Sequence, residues 1–385
     1  MIKYFKELKV NQIGVIEGIN KNLYTWRNLI SPYAITFPEF SIEGEEVYVD
    51  PYYGYSYNRD IIENDSIIYG ESSLVFERMG EVCETERTDW LRIPFFKVPR
   101  IEVHSATQLF DCLMGMKLYS NKILFRGQPS EYFLNRPKEL MSKLYGDQNA
   151  KEPSLLSYAV RKNKNFNEYY MEWSALIRAY LPIIWGREMA TLFLEKIDGL
   201  NFYLLCLAIA QHYGLPTYGL DVSKKIDTAL FFSLHKFNSV DKTNRVFKYT
   251  RKTKGSSVIY AFKFEQGETW DYQRFSEIMA PEDWLAFPRP LVQSASFAHT
   301  GWGYASNACA KEIIAAIVFN VEKIDFNELN ELLLRNGSER ILDEKNFFPD
   351  NDPFIFFLKK YIENYYKQTY NTKFKEFLKE YIYQI

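Results

Sequence analysis

The chain has 385 residues, with 47 Lys plus Arg against 49 Asp plus Glu and a formal net charge of -2 at pH 7. Hydrophobic residues at 47% and charged residues at 25% give an ordinary globular composition with length enough for a sizeable core. The near balance of charge excludes a global field drawing the protein to nucleic acid or a membrane, so any such contact has to be local.

Residues 1–98 read as a strand-rich segment, with VIEGI, EEVYVD and SIIYGESSLVFER separated by Gly, Pro and Asn turns. Tyr48, Tyr52, Tyr53, Tyr55 and Tyr57 crowd one turn-like stretch. Packing of a hairpin face is the simpler reading of them, and a ligand-stacking surface the alternative. The start, MIKYFKELKV, lacks the apolar region of a signal peptide, and no apolar run approaches a bilayer span, so a cytoplasmic protein with no membrane contact is expected.

The pattern next predicts a helix over SATQLFDCLMGM and a strand at KILF that runs into Arg126. Gly127 and Pro129 follow, so the guanidinium is expected at the sheet rim, where its planar fork suits a diphosphate or carboxylate. A structural pairing with an internal carboxylate is the competing role. Residues Phe166 to Asp198 show helical spacing interrupted by Pro182. The uncharged run from Phe202 to Ala210 predicts a buried helix, with Cys206 an inert core thiol.

That helix is expected to stop at Gly214 and Pro216, which leaves His212 at its end. Thr217 to Val222 suits one strand, and Ser223 with Asp227 offers N-cap chemistry to a helix holding Ala229 to Leu234. His212, Thr217, Asp221 and Ser223 therefore fall at the joints of a helix, turn, strand, helix unit. The basic stretch 242–254, KTNRVFKYTRKTK, is either a hairpin with a solvated loop or a phosphate-contacting loop open to nucleic acid. The spacing from Gly301 to Ser306 is too weak for a nucleotide loop.

A buried strand is expected at IIAAIVF, and after Pro353 a long amphipathic helix with two aromatic faces, one from Phe354 to Tyr365 and one from Phe374 to Ile382. This tail should dock on its own domain, a homo-oligomer being the alternative. The four cysteines show no CxxC spacing, so neither a metal site nor a disulfide framework is indicated. Walker A, nucleophile-elbow and HExxH motifs are absent from the sequence.

Four ordered phrases carry a resemblance: Phe125-Arg126-Gly127-Gln128, the stretch QHYGLPTYGLD, the spacing Arg289, Gln293, Phe297, and Phe348-Pro349-Asp350. Together they resemble the bacterial FRG-domain family over about Val98 to Phe357. Tyr218 and Val222 depart from the family's usual Arg and Trp. The expected fold is α+β, a mixed sheet core with covering helices at 99–350, after the strand-rich segment 1–98 and before a C-terminal amphipathic helix at 351–385.

The order Arg126, then Thr217 with Asp221 and Ser223, then Gln293 is similar in layout to the stations of ADP-ribosyltransferases. By that resemblance Arg126, His212, Asp221 and Gln293 are the catalytic candidates, and Gln128, Thr217, Ser223, Arg289 and Phe297 the ligand-binding ones. NAD is then the substrate of interest. An amide cannot take a proton, so the base would be His212 or Asp221. Three functions stay open: NAD cleavage or ADP-ribosyl transfer, a non-catalytic nucleotide or nucleic-acid binding module, and an interaction protein of a phage-defence or toxin assembly.

Overall fold

Strand-forming runs recur along the chain, and eight of those described pair into one sheet. The structure is a computed structural model. It describes 40–42, 45–49, 56–58 and, from 87 on, all residues except 94–95, 120–121, 136–137, 139–140, 142–146, 163–165, 242–245, 265–268, 272–285, 300–306, 339, 365–371 and 382–385. The expected strands VIEGI and SIIYGESSLVFER, three of the five clustered tyrosines (Tyr52, Tyr53 and Tyr55) and the Gly301 to Ser306 spacing thus lie outside the described residues.

Strands β1 (Phe40–Ile42), β2 (Glu45–Val49) and β3 (Ser56–Asn58) form a small antiparallel sheet in which Tyr48 faces Tyr57 across a strand pair. The main sheet takes in β4 (Arg87–Ile93), β5 (Phe96–Val103), β6 (Ile123–Gln128), β7 (Gly219–Ser223), β10 (Ser256–Lys263), β11 (Thr269–Asp271), β12 (Ala295–His299) and β13 (Ile313–Asn320). Their order is β11-β12-β7-β6-β10-β13-β5-β4, antiparallel except where β13 runs parallel to β5. An α+β fold with a mixed sheet is what the sequence pattern called for. The sheet begins before residue 98, because β4 and β5 form an antiparallel pair that extends its edge. Strands β8 (His235–Asp241) and β9 (Val246–Arg251) make a separate hairpin.

Alternation along the strands divides the core into layers. On one face Phe125, Ile259, Ala261 and Ile317 pack under α1 (Ala106–Tyr119), α6 (Ile226–Leu234) and α8 (Phe326–Arg335). On the other, Leu124, Val222, Val258, Tyr260 and Val318 pack beneath Leu134 and Leu155 of the long connection after β6 and beneath Cys309. A helical layer holds α3 (Tyr170–Trp185), α4 (Arg187–Lys196) and α5 (Gly199–His212). Pro182 does not break the helix there. It sits in the last turn of α3, and the chain breaks at Gly186, whose φ of 79 lies in the left-handed region that glycine takes most easily.

The tail folds back onto this layer as two described helices, α9 (Pro353–Asn364) and α10 (Thr372–Tyr381), where one was expected. Phe354 meets Trp173 and Tyr213 edge-on, and Tyr169 stacks on Phe374 and meets Phe377 at a tilt. Cys206 is fully buried, its thiol pushed well above the usual range by desolvation. No helix among the described residues is long and apolar enough to cross a membrane.

Candidate functional site

Two strands part at the centre of the sheet. β6 pairs with β10 and β7 with β12 along their whole lengths, yet β6 and β7 share one register pair, Phe125 with Ser223. Beyond it they diverge, and Arg126 spans the gap by donating from Nη1 to the Asp221 main-chain carbonyl at 2.6 Å. The neighbouring Gly127 is a steric requirement: a Cβ there would lie 1.7 Å from the Ala229 carbonyl oxygen, so α6 rests on bare backbone. The phrase Phe-Arg-Gly-Gln therefore alternates a core ring, a cation, a helix seat and a buried amide.

The unit that follows β6 in the sheet is set by a helix stop. Gly214, at φ 88, closes α5 while Leu215 N–H bonds the Ala210 carbonyl and Gly214 N–H the Gln211 carbonyl, the pattern of a Schellman motif. This leaves Gln211 and His212 in the last turn, facing β7. Gln211 Nε2 donates to Asp221 Oδ2 at 3.2 Å, and Thr217 Oγ1 donates to Gln211 Oε1. His212 Nε2 lies 3.7 Å from Asp221 Oδ1.

The electrostatics of this group are uneven. The His212 side chain is 4% exposed and that of Asp221 36%. Burial drives the His212 pKa below its ordinary value, Asp221 pulls it back up, the Arg289 charge lowers it, and a hydrogen bond to the Gln293 side chain raises it. At neutral pH the imidazole is uncharged beside an accessible carboxylate.

Residues 121–242 match the family model of the FRG domain. The chain carries an FRG domain. The match takes in the Arg126 phrase and the whole stretch from Gln211 to Leu234, and ends before Arg289 and Gln293. No curated protein and no solved structure matches the chain.

Gln293 joins the FRG domain's His212 from the turn between α7 (Pro288–Val292) and β12. Its Nε2 donates to the Phe347 carbonyl at 2.9 Å, and its main-chain carbonyl accepts from Ser223 Oγ at 2.7 Å and Thr228 Oγ1 at 3.1 Å. The next residue, Ser294, has φ 42, a left-handed conformation uncommon for a residue with a side chain. Ser223 also accepts from Lys225 N–H at 2.9 Å, while the carboxylate of Asp227 accepts from Thr228 N–H. Ser223 thus clasps the α7 turn, and no side chain caps α6.

Arg289 is 3% exposed. It donates to the His212 carbonyl at 3.3 Å, lies 4.0 Å from Asp352 and covers the rings of Tyr213 and Phe348. Asp352 accepts from the Tyr213 phenol at 2.7 Å and from the first N–H groups of α9. Phe297 is a core residue, paired with Asp221 and packed so closely on Gly219 that a Cβ there would meet its ring at 2.0 Å. In the basic stretch, Lys252 is buried and donates to the Pro129 and Ser256 carbonyls, and Arg251 lies over the Phe326 ring.

The structure therefore brings His212, Asp221, Thr217 and Gln293 together, while alternation puts the Arg126 side chain on the sheet face of Leu124, away from that of Asp221. Gln128 lies on the Arg126 side, its Oε1 buried without a partner. Gln211, beside His212 in the same phrase, is a bridge that the sequence reading passed over. Asp352 was signalled by its place just before Pro353 at a helix start. Tyr249, stacked on Phe348 at 4.8 Å and within electrostatic reach of Asp221 and Arg289, had no sequence signal at all. Among the described residues no cluster of His, Cys, Asp or Glu could hold a metal.

Proposed function

We propose that this FRG domain binds NAD or a closely related nucleotide at the parting of β6 and β7 and breaks its N-glycosidic bond. The observation that carries the reading is the Asp221 carboxylate, partly exposed at the parting and braced by Gln211 and by an imidazole that is nearly fully buried. Breaking the ribosyl C–N bond sends its electron pair to the nicotinamide nitrogen, which leaves as neutral nicotinamide. The ribosyl carbon becomes cationic, and a fixed carboxylate in a partly desolvated site is suited to stabilise it. Water or a hydroxyl acceptor then bonds to that carbon, and its proton passes to Asp221 or, through it, to His212. Gln293 orients the imidazole. Tyr249 and Phe348 supply a ring surface for the leaving base.

A second reading, a non-catalytic nucleotide-binding module, draws on the low exposure of His212 at 4% and Gln293 at 3%. The two separate in one experiment. Purified protein is incubated with NAD and assayed for free nicotinamide and for modified protein. Turnover that falls at least about a hundredfold in Asp221→Asn supports cleavage, the scale of losing a main electrostatic or acid-base group. NAD binding without any turnover leaves the binding module.

A further inference from the structure

A row of polar side chains crosses the sheet on the face turned away from His212. Ser296 on β12 pairs with Val222 on β7, and Arg126 on β6 pairs with Tyr260 on β10. Since Phe125 faces Ser223, Val222 and Arg126 are neighbours in the same row. Arg126 and Tyr260 are direct cross-strand partners on one face, and Ser296 stands on the same face one strand beyond Val222, across the parting of β6 and β7. Gln128 stands two residues further along β6 on the same face.

All four bring buried polar atoms without a hydrogen-bond partner: Arg126 Nε, Gln128 Oε1, Tyr260 Oη and Ser296 Oγ. Tyr260 is 0% exposed and Ser296 2%. Buried polar atoms are nearly always paired, so several orphans on one face mark a missing occupant. The charges say which kind. Arg126 gives one N–H to a neutral carbonyl, Arg161 adds a second positive charge in reach, and Asp221 is the carboxylate that acts on the guanidinium. Glu131, the carboxylate near Tyr260, is already held by both arms of Arg100 at 2.8 Å. Burial keeps the Tyr260 phenol protonated and therefore a donor. A guanidinium edge and a phenol on paired residues of β6 and β10, with a hydroxyl on the same face at β12, are all available as donors.

We propose that this row is an oxyanion subsite that takes a phosphate group, gripped by Arg126 Nε with Tyr260 Oη and Ser296 Oγ as further donors. It is separate from the bond cleavage proposed above. A protein that binds phosphate and never releases nicotinamide keeps the subsite, and one that releases nicotinamide without using these residues loses it.

The test is titration of the full chain with inorganic phosphate, pyrophosphate and AMP, followed by calorimetry and thermal unfolding. The expected result is a rise in melting temperature with at least one of them. Tyr260→Phe and Ser296→Ala each remove one oxygen and keep the shape, and each should weaken binding about tenfold, the effect of one hydrogen bond to a charged group. Arg126→Lys should weaken it more, because a point charge cannot offer the guanidinium edge. Asp221→Asn should leave anion affinity unreduced. Binding of phosphate or pyrophosphate identifies a free anion, and binding of AMP alone a nucleotide phosphate; both support the subsite. Absence of binding by wild type, a row filled by water, overturns it. So does binding that survives all three substitutions.

Discussion

Two arginines, Arg126 inside the FRG-domain match and Arg289 beyond it, stand on opposite sides of the same unit and differ in their partners. Arg289 has a carboxylate at 4.0 Å, a carbonyl at 3.3 Å and two ring faces around it, although its Nε, like that of Arg126, makes no hydrogen bond. Arg126 has one main-chain carbonyl and a set of neighbours that are themselves unpartnered. The contrast teaches that membership of a motif does not tell a ligand clamp from a structural tie. The partners do. Arg289 locks the end of α5 to the start of α9, whereas Arg126 spans a gap and keeps donor capacity in reserve.

The largest effect expected is steric and concerns the seat between the two sites. Gly127→Ala would press a Cβ against the Ala229 carbonyl, a backbone atom that cannot swing aside. It should cost at least about 3 kcal/mol, the upper end for overpacking. Gly199→Ala, with nothing within 4 Å, is the control and should be near neutral. Chemical denaturation of both variants checks this, and an equal response would show that α6 does not rest on that glycine.

Next in size is the comparison of the arginines themselves. Arg289→Ala strands Asp352 in a buried position and should destabilise the protein by about 3–5 kcal/mol. Arg126→Ala leaves only a carbonyl short of one donor and should cost about 1–3 kcal/mol. Ser223→Ala comes lower, about 1 kcal/mol, since Thr228 still donates to the Gln293 carbonyl. Urea unfolding of the three variants would give the order, and Ser223→Ala as the most damaging would contradict the scheme.

Acid provides the gentlest probe. Burial lowers the pKa of both His212 and His235 in the folded state. The unfolded imidazoles, with pKa about 6.5, take up protons first as pH falls. Stability from these groups is thus full above about pH 6.5 and is lost as pH drops from there towards the lower folded values. A melting temperature that falls between pH 7 and 5.5, with a smaller fall in His212→Gln, is the expected outcome.

The sequence showed the elements around the helix stop well, because Gly214 and Pro216 leave the chain few choices and the apolar runs on either side are unambiguous. Of the residues expected to meet at His212, Asp221 and Gln293 do so while the Arg126 side chain lies on the other face, and Gln211 joins them without having been expected. The sequence did not show that Ser223 holds the α7 turn, because capping and clasping use the same hydroxyl chemistry. It hid Tyr260 and Ser296, since a buried polar residue in an apolar strand has no periodic signature, and its lack of a partner exists only in three dimensions. The side of the sheet taken by Arg126 followed from the register of β6 against β7, which separate strand patterns do not reveal.

The difference between the two arginines is tested most directly by thermal unfolding of Arg126→Ala and Arg289→Ala, each with and without pyrophosphate. Arg289→Ala is expected to melt far below wild type yet still be stabilised by the anion, while Arg126→Ala melts closer to wild type and no longer responds. The reverse pattern, a collapsed Arg126→Ala and an anion response lost with Arg289, would contradict it.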